Sequence, residues 1–324
     1  MELSVSELEE LVSSAFENEG FSDEETKIST DEIVDAHCRG RTTIGASYVH
    51  NLKGWKDGSP EDIEIVGDSE THRLIEGNGA VGTYVSVEAM DLAMDLADSQ
   101  GVGVVGVNNP TPFLAAGYNP RRAANEGYIG INWCNGQSTV AMYGGAEPVY
   151  GTNPLGVGIP ADDIPIVLDI ASSKIANADV SVADELNEEL PENTAISNDG
   201  EPTRDPSEAK EGALLPFGEH KGSGLGFIIE LLSGAFVNGK VGTEISGNVG
   251  MVFIAMKPDL FTTLTEFDDR VSSLISEANS SSTLPGFDEV YYPGQHGELR
   301  RRECLEDGVE VRDDVYESLV ELAK

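Results

Sequence analysis

The chain has 324 residues, enough for one large or two ordinary domains with a sizeable core, and 58 Asp plus Glu against 20 Lys plus Arg give it a formal charge of −38. Charged residues make up an ordinary 24%, so the imbalance comes from missing bases rather than added charge. Acids scattered along the whole chain repel phosphates everywhere, which excludes a nucleic-acid or anionic-membrane surface.

Two readings of that charge remain. One is a fold adapted to concentrated salt, where screening lengths shrink to about 3 Å. The other is an acidic protein made for a basic partner, which usually carries blocks of like charge instead of an even scatter. The first ten residues hold four Glu and no base, so no signal peptide is expected there, and no apolar run reaches membrane-spanning length. Cys38, Cys134 and Cys304 are odd in number, far apart and free of CxxC spacing, as expected of a soluble chain in a reducing cytoplasm.

The N-terminal segment reads as helix. Leu8, Leu11, Val12, Ala15 and Phe16 recur at helical spacing behind Ser4 and Ser6, each followed three residues on by Glu. Gly20 stops that helix, and Ser22 with Glu25 starts a second one running towards Ala36. From about residue 64 the texture changes. Residues 83–100 read as helix, and short β-rich runs come next at 102–107, 128–133, 155–159 and 166–170, separated by Gly and Pro turns. Asn119-Pro120 reads as a cap with Pro at the first helical position, and Gly127 ends that helix. Residues 178–211 are acidic and poor in large apolar side chains, predicting a surface excursion. A buried helix over 225–236, a strand over 249–256 and helices over 267–278 and 315–322 complete the chain. Helices at both ends around a strand-bearing middle predict an α/β or α+β fold whose ends pack together.

Gly101, Gly103 and Gly106 match GxGxxG letter by letter, but a helix precedes them and they lie inside a strand pattern. The dinucleotide fingerprint needs the opposite order. More informative is the run Gly218-Glu-His220-Lys221-Gly222-Ser-Gly224-Leu-Gly226, which leads straight into the apolar helix. Its glycines, the free N–H groups of a first helical turn and Lys221 favour an anion site over an ordinary glycine loop. The loops at 143–154, 107–110 and 169–173 suit either a sharp turn or a ligand. His37, His50, His72, His220 and His296 show no metal-ligand spacing, so no metal is expected, and GxSxG is absent.

Taken in order, Gly127-Tyr-Ile-Gly-Ile-Asn-Trp133, Tyr143-Gly-Gly145, Gly151-Thr-Asn-Pro154, Ile166-Val-Leu-Asp169, Glu201-Pro-Thr-Arg-Asp-Pro206, the run from Leu215 through Gly218-Glu-His-Lys-Gly to Leu225, and Tyr292-Pro-Gly-Gln295 resemble the malate/L-lactate dehydrogenase family. This group of non-Rossmann oxidoreductases also contains ureidoglycolate, diketogulonate and sulfolactate dehydrogenases. The resemblance spans nearly the whole chain. It implies a helical N- and C-terminal part packed on a central, largely antiparallel nucleotide-binding sheet, with residues 1–75 packing against 250–324 and residues 76–249 forming the central domain. It also implies a homodimer, NAD or NADP as cofactor, and hydride transfer to or from a small 2-hydroxy or 2-keto acid. Carried over motif by motif, the cofactor touches Gly136, the segment Leu168, Asp169, Ile170, Ala171, Ser172 and Ser173, then His220 and Lys221, and the turn Gly294, Gln295, His296.

The family's catalytic residues do not carry over. After Arg39-Gly40 the family has Ser-His-Gly with an Arg four residues past the His. Here Ile44 stands at the His and Tyr48 at the Arg, while a second family His falls on Pro112. The family's Gly-Lys appears as Ala178-Asp179. A carbonyl reduced by hydride must receive a proton, and a 2-keto acid's carboxylate calls for a cation. His50, Thr43, Tyr48 and Arg41 are the nearby polar candidates. Two functions therefore stand open: a dehydrogenase with a changed acid, or a catalytically silent relative that keeps the dimeric fold, with or without nucleotide binding, as a partner or regulator.

Overall fold

The computed structural model describes residues 1–52, 55 and 57–324. Two helices open the chain, α1 (Val5–Asn18) and α2 (Asp23–Cys38), each entered through a capping box, Ser4 with Glu7 and Ser22 with Glu25. Their apolar stripes meet: Leu8, Val12, Phe16 and Ile33 have no exposed surface.

The main sheet has seven strands, β1 (Glu64–Val66), β2 (His72–Glu76), β3 (Val102–Asn108), β4 (Ile129–Cys134), β5 (Leu155–Ile159), β6 (Ile166–Ile170) and β7 (Gly250–Met256), in the order β1-β2-β3-β7-β4-β5-β6. Only β2 and β3 run parallel. Helix α3 (Gly82–Gln100) supplies the crossover a parallel pair requires. Strand β7 lies at the centre, with Met251 opposite both Val107 and Cys134. This corrects the sequence boundaries, which put residue 250 onward with the C-terminal part and residues 64–75 with the N-terminal part. The continuous apolar run Met251–Met256 is what a strand buried on both faces carries. Of the GxGxxG glycines, Gly101 caps α3 with φ +81, and a Cβ on Gly103 would stand 2.1 Å from the Ala93 carbonyl oxygen. Gly103 thus serves close packing of α3 on the sheet, while a Cβ on Gly106 would meet Val237 on the other face.

Helix α4 (Tyr118–Asn125) begins at Gly117, so Asn119 is inside its first turn and not its cap. The Asn119 Nδ2 donates to Ser86 Oγ on α3 at 2.8 Å. Residues 178–211, predicted as a surface excursion, instead build a small lobe with α5 (Asn177–Leu186) and α6 (Pro206–Glu211). Its five two- or three-residue strands lie in the order 202–203, 195–196, 213–214, 140–141, 148–150. Val180, Leu190, Ala195 and Ala209 share a core there with Val140, Tyr150 and Leu214. The lone apolar residues of that stretch meet partners distant in sequence, which no local pattern reveals.

Helix α7 (His220–Ser233) also departs from expectation. Its apolar run predicts a buried helix, yet Phe227, Ile228 and Leu231 are 42%, 53% and 42% exposed, and Phe236 beyond its end 67%. After β7 come α8 (Leu264–Asn279), α9 (Gln295–Asp307) and α10 (Asp313–Leu322). Val315 and Leu319 of α10 join the core of α1 and α2, and Glu2–Leu3 pairs antiparallel with Val309–Glu310, so the two ends form one helical part. Helix α9 has no apolar stripe to announce it. Ion pairs hold it on α2, from Arg39 to Glu298 and from Arg301 to Asp35.

Candidate active site

The loop after α2 reaches the central sheet through a set of polar clamps. Gly40 turns the chain with φ +85, and the buried His37 imidazole anchors the next stretch of loop: Ala46 N–H donates to Nδ1 at 3.1 Å, which leaves Nε2–H to donate to the Glu310 carbonyl at 3.0 Å. Burial holds this imidazole below its usual pKa, consistent with a neutral ring. Arg41 then crosses to the end of β6, with Nη1 3.0 Å from Asp169 Oδ2 and Nη2 donating to the Asp169 carbonyl at 2.8 Å. Thr43 Oγ1 donates to Asp179 Oδ1 of α5 at 2.7 Å. Ile44 comes next, lining a cavity of about 790 Å³ together with Arg41, Thr43, Asp169, Ser173, Lys174 and Asp179.

The other polar candidates go elsewhere. Tyr48 packs on Trp55 with ring centroids 5.1 Å apart, in the helical core, where burial and then the Glu32 charge push its pKa up to about 12. His50 is exposed and does not line this cavity. Gly82 packs so closely on Pro112 that a Cβ there would stand 2.5 Å from the Pro112 carbonyl.

A second cavity, about 350 Å³, adjoins the first across the Arg41–Asp169 pair, since both residues line both spaces. Leu168, Gly294, Gly297 and His296 line it with Arg39, Arg41 and Arg121. The turn that carries Gly294 is built on β6: Val167 N–H donates to the Pro293 carbonyl at 2.9 Å, Gln295 Oε1 accepts from Tyr292 N–H, and the His296 ring rests on Tyr291. At φ +88, with Val167 only 2.9 Å from where a Cβ would sit, position 294 admits glycine alone. The structure thus brings Leu168, Asp169, Ala171 and Ser173 together with Gly294 and His296, while Ile170 pairs with Leu155 in the sheet.

Ser172 is a buried link. Its N–H and Oγ both donate to the Thr152 carbonyl, at 2.7 and 2.8 Å, and its carbonyl accepts from Phe217 N–H at 3.0 Å. Gly136 lies against Gly151, and a Cβ on it would meet nothing within 4 Å, so its backbone is open to a ligand. His220 and Lys221 open α7, exposed, and line neither cavity. The anion site predicted from free N–H groups there takes a different form. Lys221, Gly222 and Ser223 N–H donate to the Gly218, Phe217 and Glu219 carbonyls, because Gly218 (φ +52) and Glu219 (φ +59) curl the loop back on the helix. The N–H groups of Glu219 and His220, which have no partner among the described residues, and the side chains remain for an anion.

Sequence reasoning missed the arginine cluster behind the smaller cavity. Asp35 pairs with Arg39, Arg121 and Arg301, and Glu298 with Arg39, Arg301 and Arg302. One signal was available: six of the chain's eleven Arg fall at 39, 121, 122 and 300–302. Among the described residues no group of three or more His, Cys, Asp or Glu is placed to hold a metal, and no helix is long and apolar enough to cross a membrane.

A seven-stranded, almost wholly antiparallel sheet flanked by a helical part made of both chain ends is a distinctive architecture, and comparison with known proteins decides its kinship. Residues 3–320 match the family described as malate/L-lactate dehydrogenase. The chain belongs to that family. It is 34% identical to the malate/(S)-sulfolactate dehydrogenase of Methanothermus fervidus, over 94% of this chain and 92% of that one. Among solved structures, malate dehydrogenase from Entamoeba histolytica superposes with a TM-score of 0.94 at 26% identity, covering 100% and 97% of the two chains. The sulfolactate dehydrogenase of Methanocaldococcus jannaschii gives 0.87 at 35% identity, covering 99% and 96%. The family is one of dehydrogenases, and NAD or NADP is its cofactor class.

Proposed function

We propose that the protein transfers a hydride between NAD or NADP and a small 2-hydroxy or 2-keto acid in the cleft formed by the two adjoining cavities. One observation carries this reading: Ile44, at the loop position of the family acid, lines the same cavity as Asp169, Ala171 and Ser173 at the end of β6, the segment we assign to the cofactor. The site suits a dinucleotide. Gly294 shapes the turn beside β6, Arg41 and His296 offer donors to phosphate and ribose oxygens, and Arg39 and Arg121, held by Asp35 and Glu298, keep the wall behind them positive. When bound, the cofactor supplies the hydride equivalent.

The chain must supply the proton and the carboxylate contact. Ile44 does neither, and Tyr48 is turned into the helical core. Thr43 and Asp179, hydrogen-bonded in the larger cavity, are the pair able to relay the proton: Thr43 Oγ1 gives its proton to the substrate oxygen and takes one from the Asp179 carboxyl, which is itself recharged from solvent. Of the two cations lining that cavity, Arg41 and Lys174, Lys174 is the one for the substrate carboxylate. Thr43→Val keeps the shape and removes the hydroxyl. In multimolar KCl, with 2-keto acids and reduced cofactor, it lowers kcat by about 10²-fold at unchanged cofactor affinity. An unchanged kcat would remove Thr43 from the chemistry.

The substitutions Ile44, Tyr48 and Pro112 favour a second reading, a catalytically silent relative. Its signature in the same assay is cofactor binding without turnover of any 2-keto acid. Under either reading the protein is a homodimer, with the apolar face of α7 covered by a second copy, and is adapted to concentrated salt. The cytoplasm suits its three free cysteines.

A further inference from the structure

We infer that Arg41 makes the site selective for NADP over NAD, by neutralising Asp169 and receiving the phosphate on the cofactor's adenosine ribose. The inference rests on the dehydrogenase reading above and deepens it.

In Rossmann folds a carboxylate beside the adenosine ribose accepts the hydroxyls of NAD and by its charge turns away a phosphate, while an arginine does the reverse; these charge effects do not depend on the fold and apply to any carboxylate or arginine set against that ribose. Here both residues are present and bonded to each other. Asp169 is mostly buried, with its Oδ2 3.0 Å from Arg41 Nη1 and its carbonyl taking Arg41 Nη2 at 2.8 Å, so its charge is already compensated. Arg41 is 45% exposed at the wall between the two cavities. A guanidinium carries five donors, and the Asp169 contacts occupy one side of the fork, leaving donors for a phosphate while the pair stays intact.

The other two guanidiniums of the smaller cavity are committed. Arg39 bonds Asp35 and Glu298, and Arg121 bonds Asp35. They hold the wall positive behind Arg41, which is the accessible member of the set. In a chain of −38 this is a place where cations outnumber acids: three guanidiniums line the cavity against the carboxylates of Asp35 and Asp169. A cofactor bearing two further negative charges meets repulsion over most of this surface, and a local cation of this kind offsets it.

The test is titration of NADPH and NADH, measured by calorimetry, into wild type and Arg41→Ala in multimolar KCl. Adenosine 2′,5′-bisphosphate and AMP serve as fragments that lack the nicotinamide. Wild type binds NADPH about tenfold or more tightly than NADH, and the bisphosphate more tightly than AMP. Arg41→Ala frees the Asp169 carboxylate and so reverses both preferences, NADPH and the bisphosphate losing affinity about tenfold or more relative to NADH and AMP. Asp169→Asn, which keeps the size and frees Arg41, retains or strengthens the NADPH preference and covers the case in which Arg41→Ala fails to fold. Equal wild-type affinities, a preference for NADH, or an equal loss of both cofactors in Arg41→Ala would overturn the inference. The last outcome would put Arg41 on the phosphates that both cofactors share. If neither cofactor binds wild type, the dehydrogenase reading itself falls, and this inference with it.

Discussion

Glu32 stands out among the individual residues of the helical part. It is fully buried on α2, and its Oε1 accepts the N–H groups of Leu114 and Ala115 at 3.2 and 2.7 Å, while Oε2 has no hydrogen-bond partner among the described residues. It thereby holds the loop carrying Pro112, the position of the family's second His. Burial outweighs the two N–H bonds and pushes its pKa from 4.5 up to about 8. A folded-state value above the unfolded one means that the native state binds more protons between those two pH values. The stabilisation is complete below about 4.5 and is lost as pH rises through about 8. Glu32→Gln keeps a carbonyl oxygen for both N–H groups and cannot ionise. Its melting temperature gains on wild type as pH rises from 5 to about 8 and the difference levels off above that. A difference that stays constant over that range would show that Glu32 titrates like a solvated carboxyl.

Helix α7 shows how far a pattern read along one chain extends. Phe227, Ile228, Leu231 and Phe236 form the apolar surface that the sequence predicts as core, yet in the single chain they face outward. A helix apolar on nearly all sides is covered by something, and a second copy is the occupant proposed above. Ile228→Glu places a charge in that face, and the residue is 53% exposed in the monomer, so the fold survives while the dimer dissociates. Light scattering after gel filtration at high KCl shows the mass halved against wild type, with circular dichroism unchanged. A mutant that remains dimeric would move the interface away from α7. The capping boxes at Ser4 and Ser22 and the β-rich runs at 102–107 and 155–159 were legible because each is a local pattern. Strand order was not, since pairing of Met251 with Val107 and Cys134 joins distant residues. The site divides in the same way. The ordered motifs pointed to the segments at 168–173 and 294–296, of which Leu168, Asp169, Ala171, Ser173, Gly294 and His296 line the two cavities, whereas Asp35 with Arg39, Arg121 and Arg301 is a contact among three helices that no spacing announces.

Over the whole molecule, charge is distributed by function. Four of the eleven arginines, Arg39, Arg121, Arg301 and Arg302, gather between α2, α4 and α9, where they bind the helical part to the sheet through Asp35 and Glu298, and over the remaining surface carboxylates outnumber cations. Self-repulsion of that surface opposes the compact state, and it is long-ranged at low ionic strength: the screening length is about 10 Å at 0.1 M salt and about 3 Å at 1 M. The arginine cluster is short-ranged and partly shielded from solvent, so the same salt weakens it less. The two terms together predict stability that climbs steeply between 0.1 and about 1 M KCl and flattens beyond, where repulsion is already screened. Chemical denaturation with urea, which adds no charge, measures this at a series of KCl concentrations. Sorbitol at matched osmolality separates screening from solvent exclusion: it leaves the low-salt midpoint well short of the KCl value if repulsion is what the salt removes. A midpoint independent of KCl would show that the acids are already accommodated at low salt, and the composition would then reflect a basic partner rather than the solvent.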